Sequence, residues 1–167
     1  ALVAVFAPTT AKAWDNPNAA VIQIGGTGND FAYKTEVDSA GNIYTVGAFS
    51  GTVDFDNSSG VANLTALGMY DVYVSKYDSS GNFLWVKQIG GSGADAASSV
   101  KIDSAGNVIV SGHVDGTSIY FDSSIALGAA LLSKNTIAAP QSDGFVAKYA
   151  ADGSFLWRKI YAQEGGD

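Results

Sequence analysis

The segment Asp71-Val-Tyr-Val-Ser-Lys-Tyr-Asp-Ser-Ser-Gly-Asn-Phe-Leu-Trp-Val-Lys-Gln-Ile-Gly-Gly91 decides the fold, because most of it recurs later in the chain. Residues 71–89 align with residues 143–161 at an offset of 72 (143 − 71), with 9 identities in 19 positions. Residues 25–48 align with residues 90–113 at an offset of 65 (90 − 25), with 11 identities in 24 positions. A repeat of this length is one supersecondary unit that cannot bury its own apolar face and stacks on copies of itself.

Each copy predicts four antiparallel strands joined by tight turns. The strands are predicted at about 31–37, 43–46, 72–77 and 83–87 in the first copy, and at about 96–102, 108–110, 145–149 and 155–159 in the second. In the turns, Asp accepts backbone N–H bonds and Gly adopts a positive φ. The residues assigned these structural roles are Asp38, Asp78 and Asp103, with Gly41, Gly81, Gly106 and Gly153.

Four such strands form the blade of a β-propeller, so we predict an all-β fold built as a partial propeller. Trp85 and Trp157 fall at the same place in the two fourth strands. There a large ring would fill the widening space between neighbouring blades. A β-sandwich or a β-solenoid is the alternative, although a sandwich does not require a Trp at the same place in both halves.

The repeat also predicts the organisation of the chain. Residues 30–91 and 92–164 are the two blade-like units, and residues 14–29 contain the outer strand of a preceding or ring-closing blade. Residues 165–167 repeat the Gly-x-Asp pattern that precedes each unit, and so mark the start of a third. Because propellers typically close with four to eight blades, we expect this chain to self-associate or to pack on further blades of a longer protein.

Composition excludes several classes of function. A net charge of −7 opposes nucleic-acid binding, which depends on clustered Lys and Arg. The absence of cysteine excludes a disulfide framework, a thiolate nucleophile and a Cys-type zinc site. No stretch reaches the roughly 18–20 apolar residues of a membrane-spanning helix.

The first residues indicate export. Residues 1–7 are apolar and uncharged, and Ala11-Lys-Ala13 has the small-x-small pattern that precedes signal-peptidase cleavage. Residues 1–13 therefore resemble the remnant of a secretion signal. An ordinary apolar first strand is the alternative.

Three motifs together resemble the bacterial seven-bladed β-propeller repeat (SBBP-type) family. They are Asp-Ser-Ala-Gly-Asn at residues 38–42 and 103–107, Gly51-Thr-Val-Asp-Phe-Asp56, and the segment 71–91. The resemblance covers nearly everything from about residue 20 onward, and it implies a secreted or surface-attached bacterial protein without a known activity. The second copy departs from it where Ala150 replaces the turn aspartate, which weakens that turn.

The sequence contains only weak candidates for chemistry. Asp54, Asp56 and Asp122 are calcium candidates, although no Asp-x-Asp-x-Asp-Gly loop occurs. Residues 78–85 approach the tryptophan-docking repeat of quinoproteins, but no other feature supports a quinone. The single histidine, His113, is interpreted as a surface residue, because its counterpart in the first copy is Ala48. We assign no catalytic and no cofactor-binding residue.

We therefore expect a non-enzymatic, extracellular scaffold or binding module for a protein or glycan ligand. Its binding loops are predicted at 49–70 and 114–142, the two long connections that differ most between the copies. One alternative is a propeller enzyme, either a lyase or hydrolase or a quinoprotein-like oxidoreductase, with its catalytic residues outside this chain. Another is a calcium-stabilised adhesion module.

Overall fold

The computed structural model describes residues 2–6, 20–116, 118–121, 132–133 and 142–161. The described residues are all-β and contain 14 strands. These are β1 (Leu2–Phe6), β2 (Ala20–Gly26), β3 (Asp30–Val37), β4 (Ile43–Phe49), β5 (Thr52–Asp54), β6 (Asn63–Thr65), β7 (Asp71–Tyr77), β8 (Phe83–Gly91), β9 (Ala96–Ile102), β10 (Val108–Val114), β11 (Ser118–Tyr120), β12 (Leu132–Ser133), β13 (Asp143–Tyr149) and β14 (Phe155–Tyr161).

Two four-stranded antiparallel units form the centre of the fold. Unit 1 has the strand order β3-β4-β7-β8, and unit 2 has the order β9-β10-β13-β14. Each unit is a meander in which every strand pairs with its neighbours in the unit. The prediction of an all-β chain made of propeller-type blades is confirmed.

The two long connections contain short strands that the sequence did not predict, while their role in binding stays a prediction. Residues 49–70 contain the hairpin β5–β6, and β5 pairs with β2, the strand that precedes unit 1. In the second connection, β11 likewise pairs with β12 and with β8, the strand that precedes unit 2. The register is the same at both places, since Gly26 lies opposite Val53 and Gly91 lies opposite Ile119. Each connection therefore carries a clasp, which we define as β5–β6 or β11–β12, that joins its unit to the strand before it.

The clasps depend on a short alternating pattern of apolar residues. Val53 and Phe55 of the first clasp segment are buried, as are Ile119 and Phe121 of the second. The hydroxyl of Tyr77 donates to the Phe55 carbonyl at 2.7 Å, and that of Tyr149 donates to the Phe121 carbonyl. The clasp residues correspond at an offset of 66 (119 − 53), so six (72 − 66) of the seven (72 − 65) additional residues of the second connection lie after this segment.

The buried apolar side chains form two hydrophobic cores. The first contains Ile22 and Ile24 of β2, Val53 and Phe55, and the unit 1 residues Ile43, Phe49, Tyr73 and Tyr77. The second lies between the units and is formed by Tyr44, Val46, Val72, Val74 and Ile89 of unit 1 with Val100, Val108, Val110, Phe145, Ala147 and Tyr149 of unit 2, among others. Strands β4 and β7 are buried along their whole length because a core covers each of their faces.

The first strand bears on the predicted organisation of residues 1–29. β1 pairs antiparallel with β2, as β7 pairs with β8 in unit 1. A strand at Leu2–Phe6 is the alternative that the sequence left open, and the secretion signal stays a prediction. Residues 7–19 and 162–167, including the predicted start of a third unit, lie outside the described residues. Within the described ranges, no helix has the length and apolar character needed to cross a membrane.

Candidate functional site

The Asp-x-x-Gly-Asn turns are closed by the aspartate in the same way three times. The Oδ1 atom of Asp38 accepts the N–H groups of Ala40 and Asn42 at 2.9 Å, and its Oδ2 atom accepts the Asn42 amide at 2.8 Å. Asp78 and Asp103 accept the corresponding bonds in their own turns. The glycines of all four turns, Gly41, Gly81, Gly106 and Gly153, have φ between 79° and 85°. This geometry needs no bound ion.

Hydrogen bonding makes these turn aspartates stronger acids. The Lys148 ammonium, 2.8 Å away, and the Asn107 amide hold the pKa of Asp103 well below its usual range. The side chain and backbone of Asn82 lower the pKa of Asp78. Burial opposes ionisation at Asp38, but hydrogen bonds from Asn42, Tyr44 and Ala40 outweigh it and lower the pKa. All three groups are therefore charged at neutral pH and serve the turns.

The fourth turn lacks the aspartate but is supported from the other unit. Gly153 N–H still donates to the Ala150 carbonyl at 2.9 Å. The next carbonyl, that of Ala151, accepts the ammonium of Lys76 at 2.9 Å and the indole N–H of Trp85 at 3.2 Å. Unit 1 thus holds the turn of unit 2.

The two predicted packing tryptophans have different surroundings. Trp85 is half-buried, lies edge-on to Tyr44 with ring centroids 6.2 Å apart, and packs against the core between the units. A Cβ atom at Gly153 would lie 3.0 Å from Trp85 Cδ2, which shows how closely the turn of unit 2 covers the indole. Trp157 is 45% exposed.

The candidate ligands for calcium do not converge in the described residues. Asp54 Oδ1 accepts the N–H groups of Asp56 and Ala62 at 3.0 and 2.8 Å, and Asp56 Oδ1 accepts the N–H and hydroxyl of Ser58. No group of three or more metal-binding side chains occurs in the part of the chain that the structure describes. Asp122 lies outside that part. Calcium binding therefore stays a prediction, and Asp54 and Asp56 have local roles in the first clasp. His113 is exposed, as expected for a surface residue.

Sequence reasoning missed a pair of buried carboxyl groups at the end of β8. A Cβ atom at Gly90 would lie 2.5 Å from Asp71 Cγ and 2.7 Å from Asp95 Oδ2, so both groups pack against this glycine. Asp95 accepts the N–H groups of Gly91 at 2.9 Å and Asp115 at 2.7 Å, and Asp71 accepts the amide of Gln88. The Gly91–Asp95 bond joins the last strand of unit 1 to unit 2, whereas the other two bonds lie within one unit each.

Burial makes these two groups weaker acids. Burial raises the pKa of Asp95 to about 7; the two N–H groups oppose the rise, and the nearby charges of Asp71 and Asp115 add to it. Burial likewise raises the pKa of Asp71, against the opposing bond from Gln88. Such shifts also occur in catalytic sites. Here both groups are fully enclosed, so a structural role between the units explains them.

A second missed feature is a group of aromatic side chains on unit 1, which we call the aromatic patch: the exposed Phe31 and Tyr33 and the partly buried Tyr70. Phe31 and Tyr33 are 41% and 44% exposed and lie parallel, with ring centroids 6.0 Å apart. Tyr70 lies 5.8 Å from Phe31 and accepts the Asn29 amide at 3.2 Å. β3, which carries Phe31 and Tyr33, is the edge strand of its sheet.

Unit 2 has no such patch. At the repeat offsets of 65 and 72, the aligned residues are Ala96, Ser98 and Ser142. These three positions change from aromatic in unit 1 to small in unit 2. This difference was available in the sequence and could have identified the patch.

Comparisons with known proteins support the class of fold. No family model matches the chain. An uncharacterized WD repeat-containing protein of Acanthamoeba polyphaga mimivirus is 28% identical to it over 161 residues, an alignment that covers 86% of this chain. The chain spans only 11% of the length of that protein. The similarity and the four-stranded units together indicate a repeat protein of the β-propeller type.

Proposed function

We propose that the chain is a non-enzymatic propeller repeat module that binds a protein partner through the aromatic patch. The observation that carries this proposal is the exposure of two stacked aromatic side chains, Phe31 and Tyr33, beside Tyr70 at positions where unit 2 has small residues. Tyr and Phe are enriched at the centres of protein interfaces, because they contribute large contact areas with few rotatable bonds.

The surroundings of the patch favour a protein over a glycan. Leu67 and Met69, just before Tyr70 in the chain, are 55% and 68% exposed. Aliphatic and thioether side chains add apolar contact area but do not form the flat platforms that stack on sugars. The first connection therefore adds exposed apolar side chains close to Tyr70 in the chain, although its clasp is structural.

Two further proposals concern the location of the protein and its family. An exported location is supported by the apolar start and the Ala11-Lys-Ala13 pattern. Membership in the SBBP-type family is supported by the Asp-Ser-Ala-Gly-Asn motif and by the segment 71–91.

The test replaces the two exposed rings of the patch with the aligned residues of unit 2, Ala96 and Ser98. The double variant Phe31→Ala/Tyr33→Ser and the unchanged chain are used as baits for proteins from the source organism, and each captured protein is then purified and its Kd measured. We expect a partner whose affinity falls at least tenfold in the variant. The control, Val37→Ser/Val61→Ser, removes two other exposed apolar side chains and should leave that affinity unchanged.

Two outcomes would contradict the proposal. Equal affinity of a purified partner for the variant and the unchanged chain would exclude the patch as its site. Binding on a glycan array that the patch variant loses would replace the protein by a glycan. Shortening residues 49–70 is not a suitable test, because it would remove β5 and β6 from their sheet.

A further inference from the structure

Two buried polar atoms of unit 1 have no hydrogen-bonding partner among the residues that the structure describes. One is the hydroxyl of Tyr73, a residue that is only 1% exposed, and the other is Oδ1 of Asp30. Leaving a buried donor or acceptor unsatisfied is costly, and nearly all such groups in proteins are satisfied by protein or by ordered water. Two such atoms in one core therefore need an explanation.

The strand register places these two groups on the same face of unit 1. Asp30 lies opposite Phe49, and Ala32 lies opposite Gly47, which in turn lies opposite Tyr73. Since paired residues share a face and alternate residues return to it, Asp30 and Tyr73 both face the first core.

Gly47 lets the Tyr73 ring extend across the sheet. A Cβ atom at Gly47 would lie 2.7 Å from Tyr73 Cε1, so the ring occupies the space above this glycine and points toward β3. Burial raises the pKa of the Tyr73 phenol, and the neighbouring groups Tyr77, Asp30 and Tyr33 raise it further. The phenol thus lies within electrostatic range of the Asp30 carboxylate.

At the positions that correspond to Tyr73 and Asp30, unit 2 has no unsatisfied polar atom. Phe145 occupies the position of Tyr73 and packs over Gly112 in the same way, with 2.9 Å between a Cβ atom there and Phe145 Cε1. Asp95 occupies the position of Asp30, and both of its oxygens accept N–H groups, from Gly91 and Asp115. In unit 1, Asp30 Oδ2 accepts Gly26 N–H at 2.8 Å, whereas the N–H of Ser50, the counterpart of Asp115, donates to Asn29 instead.

Unit 1 therefore has one extra donor and one extra acceptor at the same place. We propose that Tyr73 and Asp30 bind one water molecule, which accepts a hydrogen bond from the Tyr73 hydroxyl and donates one to Asp30 Oδ1. Water fits because it accepts and donates at once and is small enough for a buried site. An anion would be repelled by Asp30, and a cation could not accept the phenol hydrogen bond. The water links β3 to β7, which are separated by β4, and it is independent of the aromatic patch.

Thermal unfolding of two variants tests the site, because the proposal predicts the direction in which each one changes the melting temperature. Tyr73→Phe removes the hydroxyl that holds the water, so we expect a melting temperature a few degrees lower. Phe145→Tyr adds a hydroxyl where both oxygens of Asp95 are already occupied, so it should also lower the melting temperature. If Tyr73→Phe raises the melting temperature or leaves it unchanged, the hydroxyl has no partner and the proposal is overturned.

A high-resolution crystal structure of the unchanged chain identifies the occupant directly. We expect one water within 3.2 Å of both Tyr73 Oη and Asp30 Oδ1, and its loss in Tyr73→Phe. A direct phenol–carboxylate hydrogen bond, a bound cation or an empty space between the two atoms would each overturn the assignment.

Discussion

Trp85 and Trp157 lie at the same position of two copies of one repeat, yet among the described residues only the Trp85 face is covered by a neighbouring unit. The residues that surround the two tryptophans on the same face of each unit also differ in burial. Around Trp85, unit 1 presents buried residues: Tyr44, Val46, Ala48, Val72 and Val74. Around Trp157, the aligned residues are Ile109, Ser111, His113, Gly144 and Val146, and none of them is buried.

The comparison separates two kinds of residue in the repeat. Trp and Lys at the outer positions are kept in both units, since Lys76 and Lys87 correspond to Lys148 and Lys159. At the centre of the face, three apolar residues of unit 1 are replaced in unit 2 by Ser111, His113 and Gly144, whereas Ile109 and Val146 stay apolar. These three replacements accompany the loss of burial, whereas the conserved Trp157 does not show whether its face is covered. The self-association predicted from the sequence stays a prediction.

The largest expected effect comes from removing each tryptophan in turn. Trp85→Ala should reduce the free energy of unfolding by roughly 2–4 kcal/mol, because it leaves a cavity under the turn of unit 2 and removes a donor to Ala151. Trp157→Ala should cost less than about 1 kcal/mol, because its ring is half-exposed. Urea unfolding of both variants measures the difference. Equal losses would show that Trp157 is covered in solution.

The stability of the chain should also depend on pH, because of the buried carboxyl group of Asp95 between the units. Asp95 has a pKa of about 7 in the folded chain, against about 3.9 in an unfolded one, so the folded state retains this proton over that interval. Its contribution to stability is fully present below about pH 4, is lost as pH rises toward 7, and is constant above that. We expect a decline of roughly 1–3 kcal/mol between pH 4 and pH 7 in unfolding experiments.

The variant Asp95→Asn isolates this effect, because it removes the titration. Its stability should vary less over the same interval, whatever its absolute value. The turn aspartates do not contribute to this slope. Because their pKa values are lowered in the folded chain, the stability that they contribute is lost only below about pH 4. A slope that persists unchanged in Asp95→Asn would assign the pH dependence to another group, with Asp71 next to be tested.

The smallest effect concerns the turn that Trp85 covers. Asp78→Ala should cost about 1 kcal/mol, since it removes the acceptor that closes its turn. Ala150→Asp restores the missing carboxylate in the fourth turn but should add less than about 0.5 kcal/mol, because Lys76 and Trp85 already hold this turn and Asp152 already accepts the Ser154 N–H. Chemical denaturation of both variants measures this. A larger gain for Ala150→Asp would mean that support from unit 1 is weak.

Much of the fold was predictable because its signals are local. The Asp-x-x-Gly turns mark where strands end, and the β-branched runs mark the strands that two cores cover. The clasps were missed because β5, β6 and β11 have only three residues each, too few for an alternating pattern to stand out. Their glycine-bounded surroundings resemble ordinary loops, and pairing with a strand more than 25 residues away has no local signature.

The candidate site was harder to predict for a different reason. The aromatic patch joins Phe31 and Tyr33 with Tyr70, which lies in a separate connection, so only folding brings the three together. The carboxyl pair of Asp71 and Asp95 was hidden because Asp is usually exposed. The alignment of the two copies contains the Phe31/Ala96 and Tyr33/Ser98 differences, but their contact with Tyr70 and the burial of the two carboxyl groups needed coordinates.

The residues alone specify two four-stranded units of one kind, because turn chemistry and strand periodicity act over a few positions and recur at a constant spacing. They do not specify which faces are covered, how the clasps reach back to the preceding strand, or which carboxyl groups lose their water. Those properties depend on contacts between residues far apart in the chain, and burial, hydrogen bonding and acidity there are set by what the folded neighbours leave exposed.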